Sequence, residues 1–250
     1  MTEKKIDWRE EWEQMASTTK DPVELARGSK KVVSDRVSLF NTMKFLSLFR
    51  PDPEDIVLDA GCGTGESILA YSGSVKEMIG IDFSREIVKR ARGRIINKGV
   101  KNSEVLVADL TALPFKNDFF DKAICLSVLQ YVDDESFDKA LNELARVTKK
   151  NGYVIFHVKN SSSPYGLTRK IKEILYRRSK DFFRSLNWYR ERFQRIGSIE
   201  GEFSFGLWPA YICPAFLIYL IAELERFIRS RTEILTPFGT EYNVRIKVEK

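Results

Sequence analysis

The chain has 250 residues, of which 43% are hydrophobic and 30% charged, and its net charge is +6. This composition is typical of a soluble globular domain and excludes a disordered chain. The basic balance permits nucleic acid, an anionic membrane surface or an anionic substrate as partner, and it selects none of them. Three widely separated cysteines without metal-ligand spacing favour a reducing compartment. The charged N-terminal segment lacks the apolar stretch of a secretory signal, so we predict a cytoplasmic protein.

In chain order, the first predicted element is a helical region over residues 7–49, where Trp8, Trp12 and Met15 recur at helical spacing. The segment "RPDPED" at residues 50–55 ends it. Strands and helices then alternate. The predicted strands are 56–59, 78–81, 105–108, 123–126 and 153–158. A helix starts at residue 66, a second is capped by Ser84 and closed by Gly99, and a third carries the apolar face that starts at Phe137. This alternation predicts right-handed crossovers and a parallel sheet covered on both faces.

The regular alternation of predicted strands and helices ends after residue 160. The segment "NSSSPYG" is predicted as a loop, 168–196 as helical, and 197–205 and 241–250 as two final strands. Between these strands lies an uncharged run over residues 203–222. We therefore divide a single structural domain into an N-terminal helical cover (1–50), a ligand-binding core (51–160), and lid helices with the last two strands (161–250).

The stretch "VLDAGCGTGES" places glycines at every second position after a short apolar strand. Glycine reaches positive φ and lets a ligand approach the backbone closely, and a glycine turn between strand and helix is where open α/β sheets bind nucleotides. The dinucleotide fingerprint requires a third glycine where Glu66 stands. The pattern is instead D-x-G-x-G-x-G from Asp59 to Gly65. A carboxylate at this strand end repels phosphates and suits a cationic or amine-bearing ligand.

Further segments follow in order. "GIDFS" places Asp82 at the end of the second strand, and "VADLTALPF" places Asp109 at the end of the third. "FFDKAICLSVLQYVDD" and "NGYVIFHVKN" supply the fourth and fifth strands. Together with the glycine loop, residues 55–160 resemble the class I S-adenosylmethionine-dependent methyltransferases. The "LPF" ending is similar to that of the large subgroup that acts on quinones, sugars, lipids and other small molecules.

The resemblance implies an α/β fold with a doubly wound, seven-stranded, mostly parallel sheet (the Rossmann-like methyltransferase fold) and helical lid insertions. It implies S-adenosyl-L-methionine as cofactor and no metal. Asp82 would accept hydrogen bonds from the ribose hydroxyls, Asp109 one from the adenine amino group, and Asp59 with the backbone near Leu126 would meet the amino-acid end. The implied cofactor-binding residues are Asp59, Gly61, Cys62, Gly63, Gly65, Asp82, Phe83, Asp109, Leu110 and Leu126. Arg27 or Arg36 would hold the cofactor carboxylate.

Two catalytic candidates follow from position. An enzyme of this kind must mainly align an acceptor, and an oxygen acceptor also needs a base. His157, the sole histidine of the sequence, lies near the carboxyl end of the fifth strand, where it is either a base or a packing residue. Tyr131, between Gln130 and Asp133, follows the fourth strand. Many relatives carry histidine where this chain has "QY", which argues against a histidine-assisted step at that loop.

The acceptor should be defined by the segments that fold over the sheet edge: 160–196, 206–240 and the N-terminal helices. The basic residues between 169 and 195 are either a solvated helix face or an attraction for an anionic substrate or membrane surface. The run 203–222 is long enough to span a bilayer, but a crossing would separate the last strand from its sheet. Two interpretations stay open: a lid buried on the domain or a dimer partner, and a surface that docks on a membrane or holds a lipid-like substrate.

The sequence therefore predicts in-line methyl transfer to a small-molecule acceptor that is hydrophobic or sugar- or lipid-linked. One alternative is an RNA methyltransferase that uses the basic region. The N-P-P-[FY]-like motif of amino-group nucleic-acid methyltransferases is absent, since "CLSV" stands there, and no separate RNA-binding module is visible. Another alternative is a non-catalytic cofactor-binding subunit that holds a partner.

Overall fold

The computed structural model describes residues 10, 13–14, 43–164, 166–167, 182, 184–206, 220, 223–228 and 236–250. Within these residues one sheet of seven strands carries helices on both faces. The strands are β1 (Ile56–Ala60), β2 (Glu77–Asp82), β3 (Ser103–Val107), β4 (Phe120–Leu126), β5 (Thr148–Lys159), β6 (Gly197–Phe205) and β7 (Glu241–Val248). The complete helices are α1 (Glu66–Tyr71), α2 (Arg85–Asn97), α3 (Asp134–Val147) and α4 (Leu186–Phe193). Residues 43–49 are also helical.

The strand order is β3-β2-β1-β4-β5-β7-β6. Strands β1 to β5 pair in parallel, and β7 runs antiparallel to both β5 and β6. This confirms the predicted doubly wound, mostly parallel sheet with an antiparallel last strand. The order reverses between β1 and β4, so the loops that follow these two strands diverge and leave a crevice at the carboxyl edge of the sheet.

Two apolar clusters, one on each face, hold the helices to the sheet. The first packs α3 and α4 against one face and includes the fully buried Phe137 and Phe156. The second packs α1, α2 and the helix at 43–49 against the other and includes Phe49 and Ile68. In α3 the buried residues recur at spacings of three and four, so one stripe faces the sheet. Each face thus supplies the burial that keeps the loops at the carboxyl edge in place.

Local signals for helix starts are confirmed where they were expected. The Ser84 hydroxyl accepts a hydrogen bond from the Ile87 amide at 3.3 Å, which caps α2. The observed strands match the predicted ones with small shifts at their ends. The larger difference is that β5 starts at Thr148 rather than at residue 153; β3 ends one residue and β7 two residues earlier than predicted. The predicted helix face at Trp8, Trp12 and Met15 lies outside the described residues.

The segments expected to cover the site are described in part. Of the uncharged run, residues 203–205 belong to β6, Leu220 is exposed, and 207–219 and 221–222 lie outside the described residues. Of the basic residues between 169 and 195, the described ones form ion pairs. These are Arg184 with Asp134, Arg190 with Glu202, and Arg192 and Arg195 with Asp138. Among the helices that the structure describes, none is long and apolar enough to cross a membrane.

Candidate functional site

A cavity of about 540 Å³ opens at the carboxyl edge of the sheet, in the crevice between β1 and β4. Its volume lies in the range of small-molecule sites. The predicted residues that line it are Gly61, Gly63, Asp82, Phe83, Asp109, Leu110, Leu126 and Tyr131. The other lining residues are Ile81, Ile87, Ala108, Thr111, Ser127, Val128, Val132, Asp133, Ser136, Ala140 and Phe182. Three of these described lining residues are aspartates and none is Lys, Arg or His, so the cavity favours a ligand with cationic or hydrogen-bond-donating groups.

The glycine loop joins β1 to α1, and all three of its glycines have positive φ: 78° at Gly61, 52° at Gly63 and 82° at Gly65. A Cβ on Gly61 would lie 2.3 Å from Cγ2 of Val128, whereas one on Gly63 would meet nothing within 4 Å. The Arg94 guanidinium fixes the loop by donating to the Thr64 carbonyl (2.9 Å) and hydroxyl (2.7 Å). The loop is therefore held closely on one side and leaves open space beside Gly63.

Gly65, predicted as a cofactor residue, does not line the cavity. It is the N-cap of α1, and a Cβ there would touch Ile95 and Ala91 of α2 at 3.5–3.7 Å. These are ordinary van der Waals distances, so the left-handed N-cap conformation, rather than lack of space, is what favours glycine here. Cys62 does not line the cavity either; burial raises the pKa of the Cys62 and Cys125 thiols, so both are protonated packing residues.

Asp82 ends β2 at the wall of the cavity and is 9% exposed. Its carboxylate oxygens accept hydrogen bonds from the Gly63 amide (3.1 Å) and the Ser84 amide (3.0 Å). Burial raises the pKa of Asp82 despite these hydrogen bonds, and the nearby Glu13 adds to the increase. Each carboxylate oxygen has a second lone pair, so Asp82 can accept hydrogen bonds from a ligand while it holds the glycine loop.

Asp59, predicted as a cofactor residue, lies in β1 two residues before Gly61; it is 2% exposed and is not among the residues that line the cavity. Burial, with a smaller contribution from the charge on Asp82, raises the pKa of Asp59 from 3.8 to about 7. Its Oδ2 atom is buried and has no hydrogen-bond partner among the described residues. A buried carboxylate oxygen of this kind is stabilised by a cationic or hydrogen-bond-donating group.

Asp109 follows β3 and lines the cavity. Its Oδ1 atom accepts from the Thr111 amide and from the Thr111 hydroxyl, both at 2.8 Å. This turn fixes the direction of the Asp109 carboxyl group. The aspartates that end or follow β2 and β3 thus lie at one edge of the sheet, as the parallel topology requires.

The segment after β4 contributes a residue that the sequence did not single out. Ser127 lines the cavity with φ of 63°, in the left-handed region that is unusual for a non-glycine residue. Its Oγ atom lies 2.7 Å from Nδ1 of His157, and its amide donates to the His157 carbonyl at 3.0 Å. His157 does not line the cavity, but it contacts Ser127, which does. Tyr131 lines the cavity.

Phe182 covers the cavity from the segment between β5 and β6, and its amide donates to the Gln130 carbonyl at 2.8 Å. Arg184 fastens this segment. Its guanidinium donates to the carbonyls of Leu129 (3.0 Å) and Val132 (2.6 Å), and pairs with Asp134 at 2.8 Å. Nothing in the local sequence of this basic segment marks Phe182 as a lining residue, because the contact depends on the tertiary fold.

Comparison with known proteins agrees with this geometry. Residues 57–152 match a family described as a methyltransferase domain. An uncharacterized protein of Methanocaldococcus jannaschii is 40% identical over 121 residues, which are 48% of this chain and 42% of that protein. The tRNA (carboxymethyluridine(34)-5-O)-methyltransferase of Arabidopsis thaliana is 38% identical over 41% of this chain and 24% of its own length. The phosphatidylethanolamine N-methyltransferase of Cereibacter sphaeroides is 30% identical over 54% and 63%. The matches thus span less than two thirds of each of these relatives.

Solved structures show the same fold over nearly the whole chain. A complex between the Trm112 methyltransferase activator of Haloferax volcanii and a proposed methyltransferase matches with a TM-score of 0.66 at 21% identity, over 96% of this chain and 98% of that one. The N-methyltransferase NodS of Bradyrhizobium japonicum, in complex with S-adenosyl-L-homocysteine, matches with a TM-score of 0.65 at 13% identity over 96% and 98%. The chain therefore has the Rossmann-like methyltransferase fold.

Proposed function

We propose that this chain is an S-adenosyl-L-methionine-dependent methyltransferase of the cytoplasm that acts on a small-molecule acceptor. The observation that carries the proposal is the cavity at the carboxyl edge of the sheet. It is lined by a glycine loop with positive φ and by Asp82, Asp109 and Asp133, and by no positively charged side chain among the described residues. The match of residues 57–152 to a methyltransferase domain supports it.

The residues present fit this cofactor chemically. Asp82 retains lone pairs that can accept from the ribose hydroxyls, and Asp109 can accept from the adenine amino group. The buried Oδ2 atom of Asp59 suits the ammonium group of the amino-acid part. The open space beside Gly63 lets the ligand approach the backbone. When bound, the cofactor supplies an electrophilic methyl group.

The protein's own contribution is to bind, orient and exclude water. The acidic lining attracts a ligand with net positive charge. Tyr131 and Ser127 line the cavity after β4, where we place the acceptor, with Tyr131 and His157 as the residues that serve it. Phe182 also lines the cavity, and Arg184 fixes its segment to the carbonyls of Leu129 and Val132. Alignment of the acceptor in such a fixed site supplies most of the rate enhancement that a methyl transfer needs.

For the acceptor we favour a hydrophobic or sugar- or lipid-linked small molecule. Support comes from the apolar part of the lining, which includes Leu110, Val132 and Phe182, and from the similarity to a phosphatidylethanolamine N-methyltransferase. The described arginines between 184 and 195 are engaged in ion pairs, which weakens the argument for RNA from the basic segment. The similarity to a tRNA methyltransferase keeps RNA as an outcome to be tested.

The test is calorimetric titration with S-adenosyl-L-methionine and S-adenosyl-L-homocysteine. We expect micromolar binding by the wild type and a loss of about tenfold or more in Asp82→Ala, because hydrogen bonds to a charged group are removed. Glu104→Ala, at an exposed acidic residue of the neighbouring β3, is the matched control and should bind normally. A wild-type chain that binds neither ligand would overturn the proposal. Binding without methyl transfer to lipid, sugar, quinone or tRNA pools would favour a non-catalytic subunit.

A further inference from the structure

We propose that Ser127, His157 and Glu241 form a proton relay that deprotonates the acceptor, and hence that the acceptor is methylated on a hydroxyl oxygen. The proposal rests on the methyltransferase function inferred above and deepens it. The three side chains come from the end of β4, from β5 and from the start of β7, and they contact each other in a line that begins at the cavity wall.

The backbone of Ser127 is held in a costly conformation that exposes its hydroxyl. A non-glycine residue with φ of 63° is rare, and such strain persists only where the surrounding structure fixes it. Two contacts with His157 fix this conformation. The Ser127 amide donates a hydrogen bond to the His157 carbonyl at 3.0 Å, and Ser127 Oγ lies 2.7 Å from His157 Nδ1. The side chain therefore bonds to the imidazole while its oxygen remains at the cavity.

Glu241 determines which ring nitrogen of His157 carries the proton. Its Oε2 atom lies 3.0 Å from Nε2. Both atoms are shielded from solvent, and neither makes a contact with full hydrogen-bond geometry among the described residues, so the 3.0 Å ion-pair contact is the interaction that links them. Burial tends to raise the pKa of Glu241, but the contact with His157 and the positive charge of Lys159 hold that pKa below its usual value, so the group is a carboxylate at neutral pH. A carboxylate can only accept, so the ring proton lies on Nε2 and the Nδ1 lone pair faces Ser127.

The ring is also fixed in orientation. It stacks on Phe205 of β6 with a centroid distance of 6.1 Å and an interplanar angle of 8°. In the sheet, His157 lies between Leu126 of β4 and Asn243 of β7. In many catalytic sites a hydroxyl group contacts a base, and a third group orients that base. Ser127, His157 and Glu241 have this arrangement.

The relay moves one proton from the acceptor hydroxyl to His157 during methyl transfer. The acceptor hydroxyl gives its proton to Ser127 Oγ while the Ser127 proton passes to Nδ1 of His157. The bound cofactor would supply the methyl group, which would pass to the acceptor oxygen as the carbon–sulfur bond breaks with its electron pair left on sulfur. His157 becomes an imidazolium that pairs with Glu241 and later releases the proton to water. A neutral amine acceptor does not need this proton removal before attack, so the relay points to oxygen.

The first test reads the tautomer and needs neither cofactor nor acceptor. His157 is the sole histidine of the chain, so ¹⁵N-labelled histidine gives one pair of ring signals in an NMR spectrum. We expect the neutral ring to carry its proton on Nε2, and Glu241→Gln to weaken that preference. A neutral wild-type ring protonated on Nδ1 would overturn the relay, because His157 could then not accept the Ser127 proton.

The second test reads turnover. Ser127→Gly removes the hydroxyl and suits the left-handed backbone, so folding should be spared. With an acceptor found in the screen above, we expect kcat to fall about 100-fold in Ser127→Gly. Glu241→Gln should lower kcat with unchanged affinity for S-adenosyl-L-methionine. Ser74→Gly, at an exposed serine between α1 and β2, is the control.

The outcomes separate the two proposals. A wild type that neither binds the cofactor nor turns over defeats the methyltransferase function, while the tautomer still decides the geometry of the relay. A wild type that turns over while Ser127→Gly and Glu241→Gln keep kcat within about twofold defeats the relay alone. A product methylated on nitrogen or carbon also overturns the assignment of a hydroxyl acceptor.

Discussion

The glycine loop offers two substitutions that separate backbone strain from steric overlap, Gly61→Ala and Gly63→Ala. Both glycines have positive φ, so an alanine at either position costs about 1–2 kcal/mol of backbone strain. The loss of glycine's freedom in the unfolded chain returns about 0.4–1 kcal/mol. The net destabilisation expected for Gly63→Ala is therefore about 1 kcal/mol, since its new Cβ meets nothing within 4 Å.

Gly61→Ala adds an overlap that a side-chain rotation cannot relieve. Its Cβ would lie 2.3 Å from Cγ2, 3.1 Å from Cγ1 and 3.2 Å from Cβ of Val128, all closer than an ordinary carbon contact. Rotation about χ1 moves the Cγ atoms but not Cβ, so the backbone after β4 must shift. Overpacking of this kind costs about 1–3 kcal/mol, which brings the expected total for Gly61→Ala to about 3 kcal/mol.

Urea unfolding of the two variants, with Val128→Ala and the double variant Gly61→Ala/Val128→Ala, tests this reasoning. We expect Gly61→Ala to be the less stable by about 2 kcal/mol, and the double variant to recover about 1 kcal/mol of the overlap. Equal destabilisation by Gly61→Ala and Gly63→Ala, or additive effects in the double variant, would show that the loop and the segment after β4 do not pack as closely as described.

Three further predictions concern buried charges. The pKa of Asp59 rises from its usual 3.8 to about 7 on folding, so the contribution of Asp59 to wild-type stability should fall as pH rises from about 4 to 7. This rise corresponds to about 4 kcal/mol, so Asp59→Asn should remove that contribution and be about 4 kcal/mol more stable than the wild type at pH 8. Urea unfolding of both proteins across pH measures the difference, and a parallel pair of curves would contradict it. Arg184→Ala leaves the carbonyls of Leu129 and Val132 and the carboxylate of Asp134 without their donor. We expect it to lower the free energy of unfolding by about 3 kcal/mol in thermal or urea unfolding. Arg184→Lys should recover little of this loss, because the planar guanidinium contacts three groups at once and an ammonium does not. Lys122→Met leaves the buried Asp55 without its ion pair and should lower the free energy of unfolding by about 3 kcal/mol. The double variant Lys122→Met/Asp55→Asn should recover a large part of this loss. Full additivity of the two changes would show that the pair does not interact.

The parts of the fold that were predictable are those that depend on local patterns. Ser84 was expected to cap α2 because a serine before an apolar helical face is a local signal, and Ile87, Val88, Ala91 and Ile95 are all buried as that face requires. The early start of β5 was not predictable. Residues 148–152 are polar and carry no strand pattern, and they join the strand because β4 pairs with Thr148.

The cavity was predictable where glycines and strand-end aspartates mark it, and not where tertiary contacts make it. Gly65 matches the loop pattern but does not line the cavity; it is the left-handed N-cap of α1. Ser127 carries no sequence sign of a left-handed backbone, because glycine and asparagine are the residues that favour it. The meeting of His157 with Glu241 depends on the antiparallel pairing of β5 with β7, which no local pattern specifies.

The division of the site along the chain has a consequence for how such proteins diversify. The described walls of the cavity come from Gly61 to Ala140 with one later contribution, Phe182, whereas Glu241 lies on the last strand. A chimera that keeps residues 51–160 and receives the remainder from a relative would keep every described lining residue except Phe182 and would exchange Glu241. Recombination at the end of β5 is therefore a route by which one cofactor site can serve new substrates without being rebuilt.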